Sequence, residues 1–406
     1  MSATSLRKVL PAQASAQGAA LAKLGWLGVF ILCASLGLHN GSRAAPVPLI
    51  EEFRLRYGVD YAGVGAALGA YTLTYAFAQL AAGVVADRLG NRRLVRAGLL
   101  VMAVGSGIFA FASSYPLAVA GRAIMGIAGG LIYVPALSYT LSAFERGERG
   151  KAMGFAQSGS GGGIVLAVLL MPPLYLVVGL SGAYAVFPVI ALLLVAGLTL
   201  YVPDVKPASR AVTGGMRGLL RDRDFWLLFM GFAFIGMLAQ TAVMSWMPTY
   251  LRREFDFGVA EAGLAGSAIW VGLMLFSPAF GVLADRWGSR LRVMLAGSLL
   301  GLVGFLLLLL THHAWLAILA GLLVSAGMAA TIPMQVVYAG ERFAAVGAGT
   351  AVAIINTGGQ LSQSLDGPFY GTLLDFGLGF QTIWLVATVL GIVRIGAVLL
   401  LREEPR

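Results

Sequence analysis

Arg43 is the residue whose type and position suggest the most specific chemistry in this 406-residue chain. It lies inside a long apolar segment, and His39 precedes it by four residues. Residues four apart share one face of a helix, and a guanidinium offers a planar fork of donors to a carboxylate or phosphate. We therefore predict that Arg43 and His39 bind an anion. The alternatives are that Arg43 extends to the nearest aqueous surface or pairs with Asp366.

Asp366 is the carboxylate that lies most clearly inside an apolar segment. Asn356, Gln360 and Gln363 precede it at helical spacing, so they fall on one helix face. A Gly-Pro pair follows Asp366 and can loosen the helix, which exposes backbone groups. This polar stripe is predicted to face a cavity or a neighbouring helix. Asp366 is predicted to hold a coupling proton or cation, or else to act only as an ion-pair partner.

Arg122 is a further charge inside an apolar segment, and two roles are open for it. It could couple proton and substrate movement, or it could donate structural hydrogen bonds to backbone carbonyls of a neighbouring helix. Other segments offer substrate-contact candidates, although each could equally be an interhelical contact or an interfacial aromatic. They are Tyr133, Gln157, Trp246 and Gln335. Arg394 is expected simply to extend to the nearest surface.

Motifs of enzymes and of nucleotide-driven pumps are missing from the sequence. It has no Gly-x-x-x-x-Gly-Lys-Ser/Thr loop, and no Ser/His/Asp or Cys/His grouping is placed for nucleophilic chemistry. His312 and His313 are adjacent, which is poor spacing for metal ligands. We therefore expect no enzymatic activity, no cofactor and no metal. Cys33 is the only cysteine, so this chain alone cannot form an internal disulfide.

The composition is that of a protein that crosses a membrane many times. Hydrophobic residues make up 59% of the chain and charged residues 11%, against roughly 25% charged in soluble domains. That much apolar surface cannot be hidden in one soluble core. The net charge is +10, but the basic residues lie in short loops between apolar runs, so the charge does not indicate nucleic-acid binding.

Twelve apolar segments are long enough to span a bilayer, since a spanning helix needs about 20 mostly apolar residues. Their approximate bounds are 23–48, 62–86, 94–113, 116–142, 152–177, 181–202, 225–250, 261–284, 291–311, 315–338, 347–372 and 379–401. The expected parts are a tail at 1–22, an N-terminal six-helix bundle at 23–202, a linker at 203–224, a C-terminal six-helix bundle at 225–401 and a tail at 402–406. The predicted fold class is therefore an all-α membrane protein.

The distribution of basic residues predicts the orientation of these segments. Most Lys and Arg residues lie in the tails, the linker and every second loop, whereas the opposite loops hold only Arg54, Arg56, Arg252 and Arg253. Basic loops stay in the cytoplasm by the positive-inside rule. We therefore expect the tails and the linker to be cytoplasmic, and the membrane to be the cell membrane, in a bacterium the inner one.

One charged loop occurs twice. Residues 83–93 read Gly-Val-Val-Ala-Asp-Arg-Leu-Gly-Asn-Arg-Arg, and residues 281–291 read Gly-Val-Leu-Ala-Asp-Arg-Trp-Gly-Ser-Arg-Leu. Both copies connect apolar segments at matching places in the two halves. This repetition indicates that the chain is a duplicated unit.

Twelve segments, the 6+6 repeat and the paired loop together resemble the major facilitator superfamily of secondary transporters. The sequence Arg122-Ala-Ile-Met-Gly126 is similar to that family's motif in the fourth span, and the glycine-rich fifth segment matches more loosely. The resemblance implies two pseudo-symmetric bundles around a central cavity, with alternating access by rocking of one bundle against the other. The bilayer is then an expected partner, and the protein is expected to act as a monomer.

The resemblance also implies a gating role for the paired loops. In the family, the loop aspartate pairs across the bundle interface on the cytoplasmic side when the cavity opens outward. The alternative is that the loop arginines only anchor the cytoplasmic face. The implied gating residues are Gly83, Asp87, Arg88, Gly90, Arg92, Gly281, Asp285, Arg286, Gly288 and Arg290.

An arginine at the position of Arg43 resembles the organic-anion and sugar-phosphate branches of this family. The phosphate carriers have a second cation in the seventh span, and residues 225–250 contain none. We therefore expect a small organic anion, such as a carboxylate, moved with a co-transported proton or in exchange for a counter-anion. The alternative is a proton-driven exporter of drugs or neutral solutes, although such exporters often carry acids in N-terminal spans that lack them here.

Overall fold

The structure is a computed structural model that describes residues 26–143, 149–204 and 216–402. These residues form helices, and no β-strand occurs among them. In chain order the helices are α1 Trp26–Ala44, α2 Ile50–Tyr57, α3 Tyr61–Leu89, α4 Asn91–Ala110, α5 Tyr115–Ala143, α6 Arg149–Tyr201, α7 Met216–Arg221, α8 Arg223–Glu254, α9 Val259–Trp287, α10 Arg290–Leu310, α11 Ala314–Arg342, α12 Ala344–Asp375 and α13 Gly379–Leu400.

Helix α6 is two membrane-length helices joined at Gly179. The backbone there has φ 70° and ψ 178°, a conformation that residues other than glycine rarely adopt. This break falls between the fifth and sixth predicted segments. With α6 counted as two, the described residues contain twelve long helices, six before residue 205 and six after residue 215. The predicted fold class is confirmed.

Most of the long helices are apolar enough in their described residues to cross a membrane. Eight helices of the described chain, with α6 counted once, are long and apolar enough to cross a membrane by composition alone. Helices α1, α3 and α12 are not among them. Two of these helices contain Arg43 and Asp366, and polar side chains inside a span are rare and mark functional pathways.

Helix α1 is shorter than the segment 23–48 predicted for it, because it ends at Ala44. Pro46 and Pro48 follow, and a proline both lacks an amide donor and disfavours helical conformation in the residue before it. The chain then turns through a 3-10 helix, Val47–Leu49, into α2. Arg43 therefore stands in the last turn of α1.

We call the end of the bundle with the first and last described residues the terminal end. It also holds the α3–α4 and α9–α10 connections, whereas the opposite, distal end holds the α1–α3 and α8–α9 connections. The two halves approach closely along α3 and α12. A side chain added at Gly65 would overlap the backbone of Gly367. Such close backbone contact between membrane helices requires small residues.

Candidate functional site

A small cavity lies between the two halves, and Arg43 and Asp366 both line it. Arg43 is half-buried, and its Nη1 donates to Gln363 Oε1 at 2.9 Å. This hydrogen bond joins α1 in the first half to α12 in the second. The two charged groups do not form a salt bridge within 4.0 Å in the described structure. The wall of the cavity therefore contains both a cationic group and a carboxyl group.

Asp366 is 4% exposed and belongs to the wall formed by α12. Its Oδ2 accepts a hydrogen bond from Ser245 Oγ of α8 at 2.5 Å. Its Oδ1 is buried without a hydrogen-bond partner among the described residues. Thr241 lines the same cavity. A buried carboxyl oxygen with no partner is energetically costly, so a proton or ligand can find an acceptor there.

Arg122 of α5 holds the last turn of α1 in place. Its Nη1 donates to the carbonyl of Ser42 at 2.8 Å, and its Nη2 donates to the carbonyl of Arg43 at 3.1 Å. These carbonyls belong to a helix end, where intrahelical donors are missing. The guanidinium also lies over the ring of Tyr71, 4.5 Å from its centre. This geometry corresponds to the structural role considered for Arg122, which fixes the backbone of Arg43. A coupling role for Arg122 stays a prediction.

His39 faces away from the cavity that contains Arg43. Its Nδ1 is 2.8 Å from the hydroxyl of Tyr71, and its ring centre lies 4.8 Å from that of Tyr75 and 5.8 Å from that of Tyr133. The tyrosine cluster leaves His39 only 1% exposed. The structure thus groups His39 with Tyr133 inside the first half, and it does not bring His39 to the cavity beside Arg43.

The remaining candidates lie at several depths along the bundle. Tyr133 and Gln157 are 3.4 Å apart through their polar atoms, and Gln157 is exposed. Gln335 and Asn356 line a second cavity between α11 and α12, beside Met237 of α8. Gln360 lies on α12 between Asn356, which lines the second cavity, and Gln363, which lines the central one. Its Oε1 is buried without a hydrogen-bond partner among the described residues. The polar stripe of α12 therefore continues from the central cavity towards the terminal end.

Trp246 and Arg394 are both buried. Trp246 is fully buried towards the distal end, 6.0 Å from the ring of Tyr61, and it does not line either cavity described above. The expectation that Arg394 extends to the surface is wrong. Arg394 is 3% exposed and lies over the ring of Phe232, 4.2 Å from its centre. Gly236 leaves the space that its side chain fills.

The distal end is closed by polar contacts between the halves. The carboxylate of Asp375, at the end of α12, accepts from the amides of Tyr61 at 2.9 Å and Ala62 at 2.7 Å, which begin α3. Arg252 and Glu52 form a second link across the halves at 2.9 Å. The sequence did not predict a functional role for these residues. The sequence does show acidic and basic residues in loops on the same side of the membrane. It does not show which of them pair.

The paired loops at the terminal end contact their own halves. Arg290 pairs with Asp285 at 2.8 Å and lies 3.7 Å from Glu341. In the first copy, Arg92 donates to the carbonyl of Thr199 at 2.7 Å. Gly90 and Gly288 end their helices at positive φ, and Arg88 and Arg286 are exposed. The side chain of Asp87 and the surroundings of Gly83 lie outside the described part, and nothing lies within 4 Å of a side chain added at Gly281.

The sequence model of the Major Facilitator Superfamily matches residues 25–259 and 232–406, which together cover nearly the whole chain. The protein belongs to the Major Facilitator Superfamily. Its fold agrees with a solved superfamily structure, a bacterial homologue of the human lysosomal transporter Spinster in an inward-facing and unoccupied conformation. The TM-score is 0.73 over 93% of this chain and 94% of that chain, with 16% sequence identity.

Curated proteins with similar sequences include named transporters. Probable anion transporter 6 of Oryza sativa subsp. japonica is 28% identical over 61% of this chain and 63% of its own length. The probable L-galactonate transporter of Escherichia coli strain K12 is 24% identical over 52% of this chain and 51% of its own. The synaptic vesicular amine transporter of Rattus norvegicus is 28% identical over 54% of this chain and 43% of its own length. The chain thus spans less than two thirds of the length of these relatives.

Proposed function

We propose that the protein is a secondary transporter that moves a small organic anion, a carboxylate, by alternating access. The observation that carries this proposal is Arg43, whose guanidinium reaches a cavity between the halves and donates there to Gln363. A neutral amide is a weak partner for a guanidinium, and a carboxylate would replace it with a charge-assisted, bidentate contact. Two relatives support the ligand class through their names, which refer to anions and to L-galactonate.

We further propose that the cavity opens to the cytoplasm in this conformation. The distal end is closed by contacts between the halves, and the terminal end carries most of the basic loops, which the positive-inside rule assigns to the cytoplasm. On this basis the tails at residues 1–22 and 402–406 and the linker at 203–224 are cytoplasmic. The bundles at 23–202 and 225–401 are the two bodies that rock.

Asp366 is the proposed site of the coupled proton. Its Oδ1 has no hydrogen-bond partner in the described chain, and the cavity that contains Asp366 also contains Arg43. A substrate carboxylate bound to Arg43 would therefore lie near a second carboxyl group. Two neighbouring carboxylates repel each other, so binding of the substrate and of a proton at Asp366 would favour each other.

Uptake of carboxylates into proteoliposomes tests this function, with L-galactonate as the first compound because it is named for a relative. Arg43→Gln and Arg43→Lys should both lower uptake by at least tenfold, since lysine lacks the bidentate fork. Arg292→Gln, an exposed arginine at the start of α10, is the matched control and should transport normally. Anion transport by Arg43→Gln at the rate of the parent would remove the basis of the proposal.

A second candidate function is export of a cationic or neutral solute. It is favoured by the buried carboxyl group of Asp366 in the cavity and by the similarity to a vesicular amine transporter. A thermal-shift screen of the purified protein separates the two functions, because a ligand of the folded state raises its stability. Stabilisation by amines and by no carboxylate would favour the second function.

A further inference from the structure

A groove on the outside of the second half runs between α8 and α13 near the terminal end. Its walls are almost entirely apolar and contain Leu227, Met230 and Ile235 of α8 together with Val393, Gly396 and Leu400 of α13. It encloses about 1030 Å³, including the part that opens to the surroundings. At Gly396 nothing lies within 4 Å of an added side chain, so the floor is open there. The groove is separate from both cavities of the candidate site.

Two exposed arginines stand where this groove meets the terminal end. Arg223 lines the groove at the first residue of α8, and Arg221 ends α7 just before it. Both side chains are exposed, and neither forms a salt bridge with a described residue. The neighbouring carboxylates of Asp222 and Asp224 already pair with Arg342 at 3.1 Å each. Among the described residues the two arginines therefore have no acidic partner, and they can bind an external anion.

Arg394 adds positive charge inside the same seam between α8 and α13. It follows the groove residue Val393, and its Nε and Nη2 are buried without hydrogen-bond partners among the described residues. No acidic side chain of the described structure forms a salt bridge with it. Charges in a medium of low polarity act over longer distances than charges in water. Arg394 therefore adds a positive charge with no acidic partner in the described part of this seam.

We propose that this groove binds one anionic phospholipid, with an acyl chain between α8 and α13 and the phosphate group at Arg223. The apolar walls face the hydrocarbon region, and Arg223 begins the span at the depth of lipid headgroups. Basic pockets between spanning helices on the cytoplasmic side suit anionic headgroups. The inference depends on the chain crossing a membrane and does not depend on which solute it transports.

Native mass spectrometry of the full chain in detergent tests the proposal with two lipids of identical chains. Phosphatidylglycerol should stay bound in preference to phosphatidylcholine, and it should also raise the unfolding temperature more. Gly396→Leu should abolish the retained phosphatidylglycerol by filling the groove. Arg223→Gln, combined with Arg221→Gln, should remove the preference between the two lipids.

Two controls address general effects of added bulk and lost charge. Gly107→Leu of α4 also adds a side chain where nothing lies within 4 Å, and Arg292→Gln removes an exposed charge at the start of α10. Both should retain the lipid and the preference. Inorganic phosphate should give no shift, because it lacks the acyl chain.

Several results would overturn the proposal. Equal retention of the two lipids by the parent would show that headgroup charge does not matter. Undiminished phosphatidylglycerol binding in Gly396→Leu would place the lipid elsewhere. If Gly396→Leu lowered the unfolding temperature and the parent retained no lipid, the groove would be occupied by a segment of the chain itself.

Discussion

Charged side chains occur at both the distal and the terminal end of the bundle, yet their described contacts differ. At the distal end, Asp375 and Arg252 reach from the second half to the first. At the terminal end, Arg93 pairs with Asp204 and Arg290 with Asp285, each within its own half. The described charged contacts at the distal end therefore join the halves, and those described at the terminal end do not.

The contact of Asp375 with α3 is the more specific of the distal links. The first amides of a helix have no intrahelical acceptors, and a carboxylate there also interacts with the helix dipole. Such a cap normally comes from the same helix, and Asp60 provides one by accepting from the amide of Gly63 at 2.7 Å. Asp375 supplies a second cap from the opposite half. Rocking of the halves would break the second cap and leave the first intact.

Gly65→Leu should have the largest effect on this asymmetry. A side chain there would overlap the backbone of Gly367. The overlap would destabilise the conformation with a closed distal end by about 3 kcal/mol. Leu55 and Phe376 are both exposed at the distal end. Electron paramagnetic resonance should then report a longer distance between spin labels at these two positions. The labelled proteins need Cys33→Ser to avoid labelling the native thiol. Gly107→Leu should leave the distance unchanged, and an unchanged distance in Gly65→Leu would contradict the close approach.

Asp375→Ala should have the next largest effect. Loss of a carboxylate cap costs about 1–2 kcal/mol, which is about a five- to thirtyfold change in the ratio of closed to open distal ends. Asp60→Ala removes the other cap of α3 and is the matched control. It should lower stability towards unfolding without changing the distal distance. If both variants shift the distance equally, the cap from the opposite half has no special role in closure.

Glu52→Gln should weaken distal closure less than Asp375→Ala. The ion pair with Arg252 is partly accessible, with side-chain exposures of 10% and 21%, so we expect about 1 kcal/mol and a severalfold shift at low salt. The shift should shrink as ionic strength rises, because salt screens accessible charges. The same distance measurement in low and high salt provides the check. A shift that is independent of salt would mean that the pair is not the cause.

Asp285→Asn should change the populations least in the distal-closed state. Asp285 is 75% exposed and pairs only within its own loop, so its loss costs little there. If the gating role implied by the family is right, the variant would lose a contact only in the opposite conformation, and the terminal end would stay open longer. A label pair at Leu89 and Trp287 reports this end. A more closed terminal end in Asp285→Asn would contradict the gating role.

The sequence was sufficient for the fold because the main signal is local. Each span is an apolar run of fixed length, and Gly179 marks the break between two of them without any knowledge of contacts. Pro46 and Pro48 should have shortened the first predicted segment, since both prolines interrupt a helix within it. Hydropathy outweighed that signal in the prediction of 23–48.

The site was predicted only in part because side-chain direction depends on neighbouring helices. Of the polar residues predicted on α12, Gln363 and Asp366 line the central cavity, whereas Asn356 lines the second cavity. His39 and Arg43 have different surroundings. Arg43 lies in the last turn of α1 and lines the cavity, whereas His39, one turn earlier, is surrounded by tyrosines of α3 and α5. The partners of Asp375 lie more than 300 residues away in the chain. No local pattern can identify such a pair.

The most direct test of this account is the distal distance between labels at Leu55 and Phe376 in proteoliposomes, compared between the parent, Asp375→Ala and Asp60→Ala. We expect one short distance for the parent and for Asp60→Ala, and a second, longer distance for Asp375→Ala. A long distance in the unliganded parent, or identical distributions in all three proteins, would contradict the claim that contacts between the halves close the distal end.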